Sequence, residues 1–163
     1  MGDRTPSDGA PVRLVQTYPA NERTFTIDVT VSLAGVRSGP VADVTSVSGT
    51  SLWQADFGFE ADPEAVLEAC RVRFVDAQGR EYDTHSGLEV GLDAPIRSLQ
   101  TCLPEGAEGP SYDYFSDQVT PSEQPRPRSW RSLVVAALPQ GVTPVAVRIG
   151  FHQPDYVEFR LNR

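Results

Sequence analysis

The chain has 163 residues, of which 39% are hydrophobic and 22% are charged, and its 22 acidic residues outnumber its 14 basic residues to give a net charge of -8. This length and composition are typical of one folded domain and differ from those of a disordered acidic chain. The acidic balance excludes the basic face that nucleic acid or an anionic membrane surface requires. We therefore predict a single globular domain over residues 11–163 that binds no nucleic acid.

The first ten residues are rich in glycine, aspartate, serine and proline, and we expect them to be a flexible lead. They lack the basic and apolar regions of a signal peptide, and the chain contains no run of about 18 apolar residues. The same composition is typical of a stalk cut from a longer precursor. Whether a signal or a membrane anchor is encoded before Met1 therefore stays open.

Two alternating runs predict core strands in the first sixty residues. They cover residues 24–33 and residues 52–60, and residues 42–47 predict one weaker strand between them. A strand in which every second residue is apolar buries one face. The inward residues are Phe25, Ile27, Val29, Val31 and Leu33 in the first run, and Trp53, Ala55, Phe57 and Phe59 in the second.

The middle of the chain predicts a short helical turn and then a β-hairpin. Asp62 before Pro63 is a typical helix start, because an aspartate caps free backbone N–H groups and proline suits the first helical position. Residues 70–75 and 80–85 then alternate as strands on either side of Asp-Ala-Gln-Gly at 76–79. Aspartate first and glycine last in four residues favour a type I turn that closes a hairpin.

The pattern fails over residues 88–128, a proline-rich stretch with only short apolar segments, for which we predict an irregular insert. Alternation returns after residue 129, and the last 35 residues predict a meander of three strands. About seven strands with close turns and almost no helix indicate an all-β fold, an antiparallel β-sandwich with one long insert.

Residues 72–82 resemble the hairpin of the telokin-like extracellular domains of Gram-positive and actinobacterial proteins, in which an apolar strand, a D-x-x-G turn and a tyrosine recur. Here the motif residues are Asp76, Gly79 and Tyr82. Residues 126–139 resemble the proline-rich segment and the strand that follow in that family. The resemblance covers about residues 24–161, and the insert and the two cysteines depart from the family pattern.

The resemblance implies an immunoglobulin-like sandwich that is secreted or tethered at the cell envelope. It supplies no catalytic residue and no cofactor, so we predict a non-enzymatic binding module whose partner is an unidentified protein or cell-envelope component. Contact with a membrane would come only through an anchor absent from this chain. The alternatives are an intracellular structural or assembly subunit with the same fold and, third, a hydrolase.

The two cysteines, Cys70 and Cys102, would pair in an exported protein and stay reduced in an intracellular one. Alternation places Cys70 on the same face as Val72 and Phe74, toward the core. Cys102 lies beside the apolar run 96–103, where a bridge would anchor the insert. Since the resemblance implies an oxidising compartment, we predict a Cys70–Cys102 disulfide.

The insert supplies the candidate partner surface, because Tyr112, Tyr114 and Phe115 form an aromatic triplet in an acidic, proline-rich loop. Aromatic side chains on loops give a large contact area at a small entropic cost. The alternative is that these rings fold back and cover a sheet edge. For Asp76 and Tyr82 we predict structural roles, with the aspartate capping the turn and the tyrosine filling the core.

No other motif predicts chemistry. His85 and His152 lie apart from ligand-spaced cysteines or carboxylates, so we predict surface positions and no metal. The five acids of the insert lack the order of an EF-hand calcium loop. They are Glu105, Glu108, Asp113, Asp117 and Glu123. Neither a nucleophile elbow nor a phosphate loop is present.

Overall fold

The computed structural model describes residues 9–95, 102–152 and 155–162, and within these ranges all regular structure is β. None of these residues belongs to a helix that could cross a membrane. The twelve strands are β1 (Val12–Ala20), β2 (Arg23–Ser38), β3 (Val44–Ser46), β4 (Thr50–Ala61), β5 (Arg71–Val75), β6 (Glu81–Asp83), β7 (Leu88–Val90), β8 (Ser111–Asp113), β9 (Gln118–Thr120), β10 (Ser129–Pro139), β11 (Ala146–Gly150) and β12 (Val157–Arg160).

The strands form two four-stranded antiparallel sheets and two small ones. The first sheet has the order β1-β2-β4-β10, and the second has the order β12-β11-β5-β6. Strands β3 and β7 pair with each other, and β8 pairs with β9. The all-β prediction is therefore confirmed.

Both large sheets contribute to one buried hydrophobic cluster. Ring contacts join them, since the Phe57 ring of β4 lies 6.3 Å from the Phe159 ring of β12. The inward residues predicted for β2 and β4 lie in this cluster, with Phe25 at its partly buried margin. Its buried members include Ile27, Val29, Trp53, Phe57, Phe74, Val147, Ile149 and Phe159.

Two predictions about the strands were wrong, and one strand was not predicted. That strand is β1, whose alternation is obscured by Gln16, a buried polar residue on the apolar face. The last 35 residues are not a meander, because β10 pairs with β4 in the first sheet while β11 and β12 belong to the second. The insert is not strandless, because it holds β7, β8 and β9 of three residues each. Strands this short cannot show an alternating pattern.

The predicted helical turn at Asp62 is also absent. The Asp62 Oδ1 accepts the Glu64 N–H at 2.9 Å, and the Asp62 carbonyl accepts the Ala65 N–H at 3.0 Å. These contacts make a single capped turn, and β5 begins six residues after Ala65. Of the predicted flexible lead, the structure describes Gly9 and Ala10, and the other residues lie outside the described ranges. Residues 96–101 of the apolar run also lie outside these ranges.

The 76–79 turn has the structure that its sequence predicts. Gly79 has a φ of 83°, and its N–H donates to the Asp76 carbonyl at 3.0 Å. The Asp76 Oδ1 accepts the backbone N–H groups of Gln78 and Arg80 at 2.9 Å. The Tyr82 hydroxyl donates to Asp76 Oδ2 at 2.9 Å. The Asp76–Tyr82 pair therefore closes the hairpin.

The pKa of Asp76 lies below its ordinary value, because burial alone would raise it but three hydrogen bonds to the carboxylate outweigh that effect. A lowered pKa in the folded state means that the ionised form adds stability above about pH 4, the range where unfolded aspartate is ionised, and that this share is lost as pH falls through the folded pKa. We expect urea unfolding of the parent and of Asp76→Asn to differ most at neutral pH and to converge as the pH falls through the lowered folded pKa of Asp76. A constant difference across that range would show that the charge contributes nothing.

The insert is fixed to the sandwich at two places. Cys70 and Cys102 form the predicted disulfide, with their Cα atoms 5.6 Å apart and both side chains buried. The Trp130 indole N–H donates to the Cys102 carbonyl at 2.8 Å. At the second place Arg126 is buried and lies 5.3 Å from the Trp130 ring centre. Trp130 therefore contacts both anchors.

Arg126 binds backbone carbonyls, a role that the sequence did not reveal. Its guanidinium donates to the Glu108 carbonyl at 2.8 Å, to the Asp62 carbonyl at 2.7 Å and to the Ala65 carbonyl at 2.9 Å. Burial lowers its pKa from the usual arginine value, and the nearby Asp62 and Glu64 oppose that shift. This arginine thus joins the insert to the turn after β4.

Gly109 makes room for that arginine, since a Cβ built on it would lie 2.4 Å from an Arg126 terminal nitrogen, and its φ of +85° disfavours any side chain. We expect Gly109→Ala to lower the free energy of unfolding by about 2–3 kcal/mol, from backbone strain and overpacking. Gly106→Ala is the matched control, because Gly106 has a φ of +77° with nothing within 4 Å. Equal losses in urea titrations of the two variants would contradict the role of Arg126.

Candidate functional site

The β8–β9 hairpin, residues 111–120, lies against the turn between β1 and β2. Asn21 occupies that turn with a φ of 57°, a conformation that asparagine tolerates better than most residues. Its side-chain amide donates to the Tyr112 hydroxyl at 2.6 Å and to the Tyr114 carbonyl at 3.1 Å. The Tyr112 ring also packs 4.8 Å from the Phe25 ring. The hairpin is therefore fixed to the first sheet by both polar and apolar contacts.

Asp117 completes this attachment. It accepts the Tyr112 hydroxyl proton at 2.6 Å, and Arg23 Nε lies 3.0 Å from the same Oδ1 atom. A second Arg23 nitrogen donates to the Asp117 carbonyl at 3.1 Å. The bond from Tyr112 and the pairing with Arg23 lower the pKa of Asp117, whereas burial and Asp117 raise the pKa of Tyr112. Arg23 and Asp117 thus neutralise each other where the hairpin loop meets β9.

The tip of the hairpin is the four-residue loop 114–117, which joins β8 to β9. The Asp113 carboxylate accepts the Phe115 N–H at 2.8 Å, and the Asp113 carbonyl accepts the Asp117 N–H at 2.8 Å. These bonds fix the backbone of the four-residue loop. The Phe115 side chain is fully exposed, with a relative accessibility of 102%, and Tyr114 is 54% exposed. A defined backbone therefore presents two aromatic side chains to solvent.

The structure divides the predicted aromatic triplet into two roles. Tyr112 folds back onto the sheet, as in the alternative reading, and contacts Tyr114 at a ring separation of 5.2 Å. Tyr114 and Phe115 keep the exposure that a partner surface needs. The sequence did not predict Asn21 and Arg23 as the supports of the hairpin, because a contact across 91 residues leaves no local pattern.

A second cluster lies beside the hairpin, around Tyr18. Its ring stacks on Phe25 at 5.6 Å and on His152 at 4.5 Å. On the other side of the cluster, Glu68 Oε2 lies 3.0 Å from His152 Nδ1. Burial, Glu68 and the nearby Tyr114 raise the pKa of Tyr18 to about 12. His152 is thus half-buried between Tyr18 and Glu68, so the prediction of a surface position was wrong for this histidine. His85 is exposed, as predicted.

The acidic side chains of the insert do not form a shared metal site in the described residues. Asp113 and Asp117 support the hairpin, Glu108 Oε1 accepts the Gly106 N–H at 2.9 Å, and Glu123 is exposed. Across the described residues, no group of three His, Cys, Asp or Glu side chains could hold a metal ion. In this part of the chain, the geometry offers the exposed hairpin tip as the candidate site.

No family model, no curated protein and no solved structure matches this chain. The site is therefore interpreted from its own geometry.

Two substitutions distinguish the supporting role of Tyr112 from the exposed position of Phe115. Tyr112→Phe removes a hydroxyl that joins Asn21 to Asp117, and we expect it to lower the free energy of unfolding by about 1–2 kcal/mol. Phe115→Ser removes a ring that is fully solvent-exposed, and we expect a change within about 0.5 kcal/mol. Urea titrations of both variants measure the difference. A larger loss for Phe115→Ser than for Tyr112→Phe would contradict the assignment.

Proposed function

We propose that this protein is a non-enzymatic binding module that acts outside the cytoplasm and docks on its partner through the β8–β9 hairpin tip. The observation that carries the proposal is the full exposure of Phe115 on a backbone fixed by hydrogen bonds. Burying a phenylalanine contributes about 1.5–3 kcal/mol, and this ring contributes nothing of that kind to the fold. A rigid, exposed aromatic side chain is typical of interface hot spots.

The proposal includes an immunoglobulin-like sandwich of the telokin-like kind. Two four-stranded antiparallel sheets that share one core support it, as does the Asp76–Tyr82 hairpin from which the resemblance started. The Cys70–Cys102 disulfide supports export to an oxidising compartment over an intracellular assembly role, since such bridges are rare in the cytosol.

Comparative capture tests this function. The parent protein, Phe115→Ser and Val47→Ser are immobilised and exposed to an envelope extract of the cells that produce the protein. Val47 is a matched control, because it is 57% exposed and precedes β4, whose first residues lie far from the hairpin. We expect a component that the parent and Val47→Ser retain equally and that Phe115→Ser retains at least about tenfold less. If every retained component ignores the Phe115 substitution, the proposed function is wrong.

A further inference from the structure

The charges around the hairpin tip identify the chemistry of its partner. We propose that the tip docks into an apolar pocket of a protein surface and that lysine or arginine side chains border this pocket. This inference rests on the proposed function and goes further, because it states what the partner must carry. Three observations support it: the apolar tip, its acidic border and its fixed backbone.

The apolar part consists of side chains on one short hairpin. Phe115 and Tyr114 occupy the loop, and Val119 on β9 is 40% exposed. Val119 pairs with Tyr112, whose ring fills the space toward the sheet. The exposed group is therefore small, of the size that a pocket and not a broad flat surface would receive.

The border is acidic. Between residues 102 and 124 every charged residue is an acid, and the neighbouring turn adds the exposed Glu22. Among the described residues that contact the hairpin loop, Arg23 is basic, and Asp117 neutralises it at 3.0 Å. Asp113 and Glu22 then remain as net negative charges beside the tip. Charge complementarity requires positive groups on the partner.

The fixed backbone lowers the entropic cost of docking. The Asp113 carboxylate and carbonyl hold the loop, and Asn21 holds the Tyr114 carbonyl. A preorganised aromatic side chain loses less conformational freedom on binding than one on a loose loop.

A membrane is the competing occupant, since exposed aromatic side chains also insert into lipid. The acidic border disfavours it, because the anionic lipids of cell membranes repel carboxylates. The protein pocket is therefore the occupant that both the apolar and the charged residues fit.

Photo-crosslinking at the tip provides the test. A benzophenone amino acid replaces Phe115 in one variant and Val47 in a control, and both full-length proteins are irradiated in the envelope extract. Val47 precedes β4, which pairs with the far end of the 16-residue strand β2, on the order of 40 Å from the hairpin. The cross-linked peptide is sequenced, and its parent protein is expressed for titrations.

Salt and charge variants then test the border. We expect the affinity for the cross-linked protein to fall about tenfold between about 50 and 300 mM NaCl. The double variant Glu22→Gln, Asp113→Asn should reduce this salt dependence, and an asparagine at 113 can still accept the Phe115 N–H through its carbonyl oxygen. Vesicles of phosphatidylcholine, with and without phosphatidylglycerol, are co-sedimented with the parent protein and with Phe115→Ser.

The outcomes separate the two proposals. An adduct specific to position 115, on a peptide with lysine or arginine beside apolar residues and with salt-dependent affinity, supports the inference. An adduct on a peptide without basic residues, or an affinity insensitive to salt, overturns the inference and leaves the proposed function intact. Vesicle binding that needs Phe115 overturns it in favour of a membrane. The absence of any adduct specific to position 115 overturns the proposed function as well.

Discussion

Replacing Phe57 by alanine should lower the free energy of unfolding by about 3–5 kcal/mol, the usual cost of removing a fully buried phenylalanine. The Phe57 side chain is completely enclosed on β4, where its ring lies 5.9 Å from Phe59 and 6.3 Å from Phe159 of the other sheet. The cavity would therefore lie between the two sheets. A loss of this size is a large share of the net stability of a typical domain.

Urea unfolding followed by tryptophan fluorescence measures this loss. Phe115→Ala is the matched control, because it removes the same ring from a fully exposed position. We expect that control to stay within about 0.5 kcal/mol of the parent. If Phe57→Ala also unfolded within about 1 kcal/mol of the parent, the assignment of Phe57 to the shared core would be wrong.

The second large effect should come from the disulfide. Cys70 and Cys102 are 32 residues apart, and in the chain-entropy model a bridge of this span stabilises a protein by about 3–4 kcal/mol. We expect the double variant Cys70→Ala, Cys102→Ala to lose about that amount in urea titrations. Alanine adds no charge at these two buried positions, so the loss reflects the missing bridge.

Alkylation without reductant, followed by mass spectrometry, provides the direct measurement for the bridge. Protein made through an oxidising route and denatured should carry no alkyl group on either cysteine. Two alkylated cysteines in that material would contradict the bridge and would remove the main support for export. Reduction of the parent under denaturing conditions is the positive control for labelling.

The strands that the sequence predicts best are those with one apolar and one polar face. Residues 24–33 and 52–60 alternate because one side of each strand faces the shared core, and they lie within β2 and β4. The turn at Asp76 was predictable for a similar reason, since the aspartate and the glycine act within four residues of each other. Residues close together in the chain determine these features, so the local sequence pattern predicts them.

Partners that are distant in the chain were not predictable in the same way. The run at 129–139 shows that β10 is a strand, but not that it pairs with β4 while β11 joins the other sheet. At the site, the sequence indicated the aromatic triplet, but only the structure separates Tyr112 from Phe115. That separation depends on Asn21, which meets the hairpin across 91 residues. The role of Arg126 could not be predicted, because its partners are backbone carbonyls, which every residue type has.

The pairing of β4 with β10 has a consequence for folding speed. Ser129 pairs with Glu60, 69 residues earlier, so the first sheet closes only after a long loop has lost its conformational freedom. Contacts this remote in the chain are typical of domains that fold in milliseconds to seconds. The disulfide lies inside this loop and bypasses 32 of its residues, which lowers the closure cost by about 0.5 kcal/mol. Oxidised chains should therefore refold about twice as fast as reduced chains, if closure of this loop limits the rate.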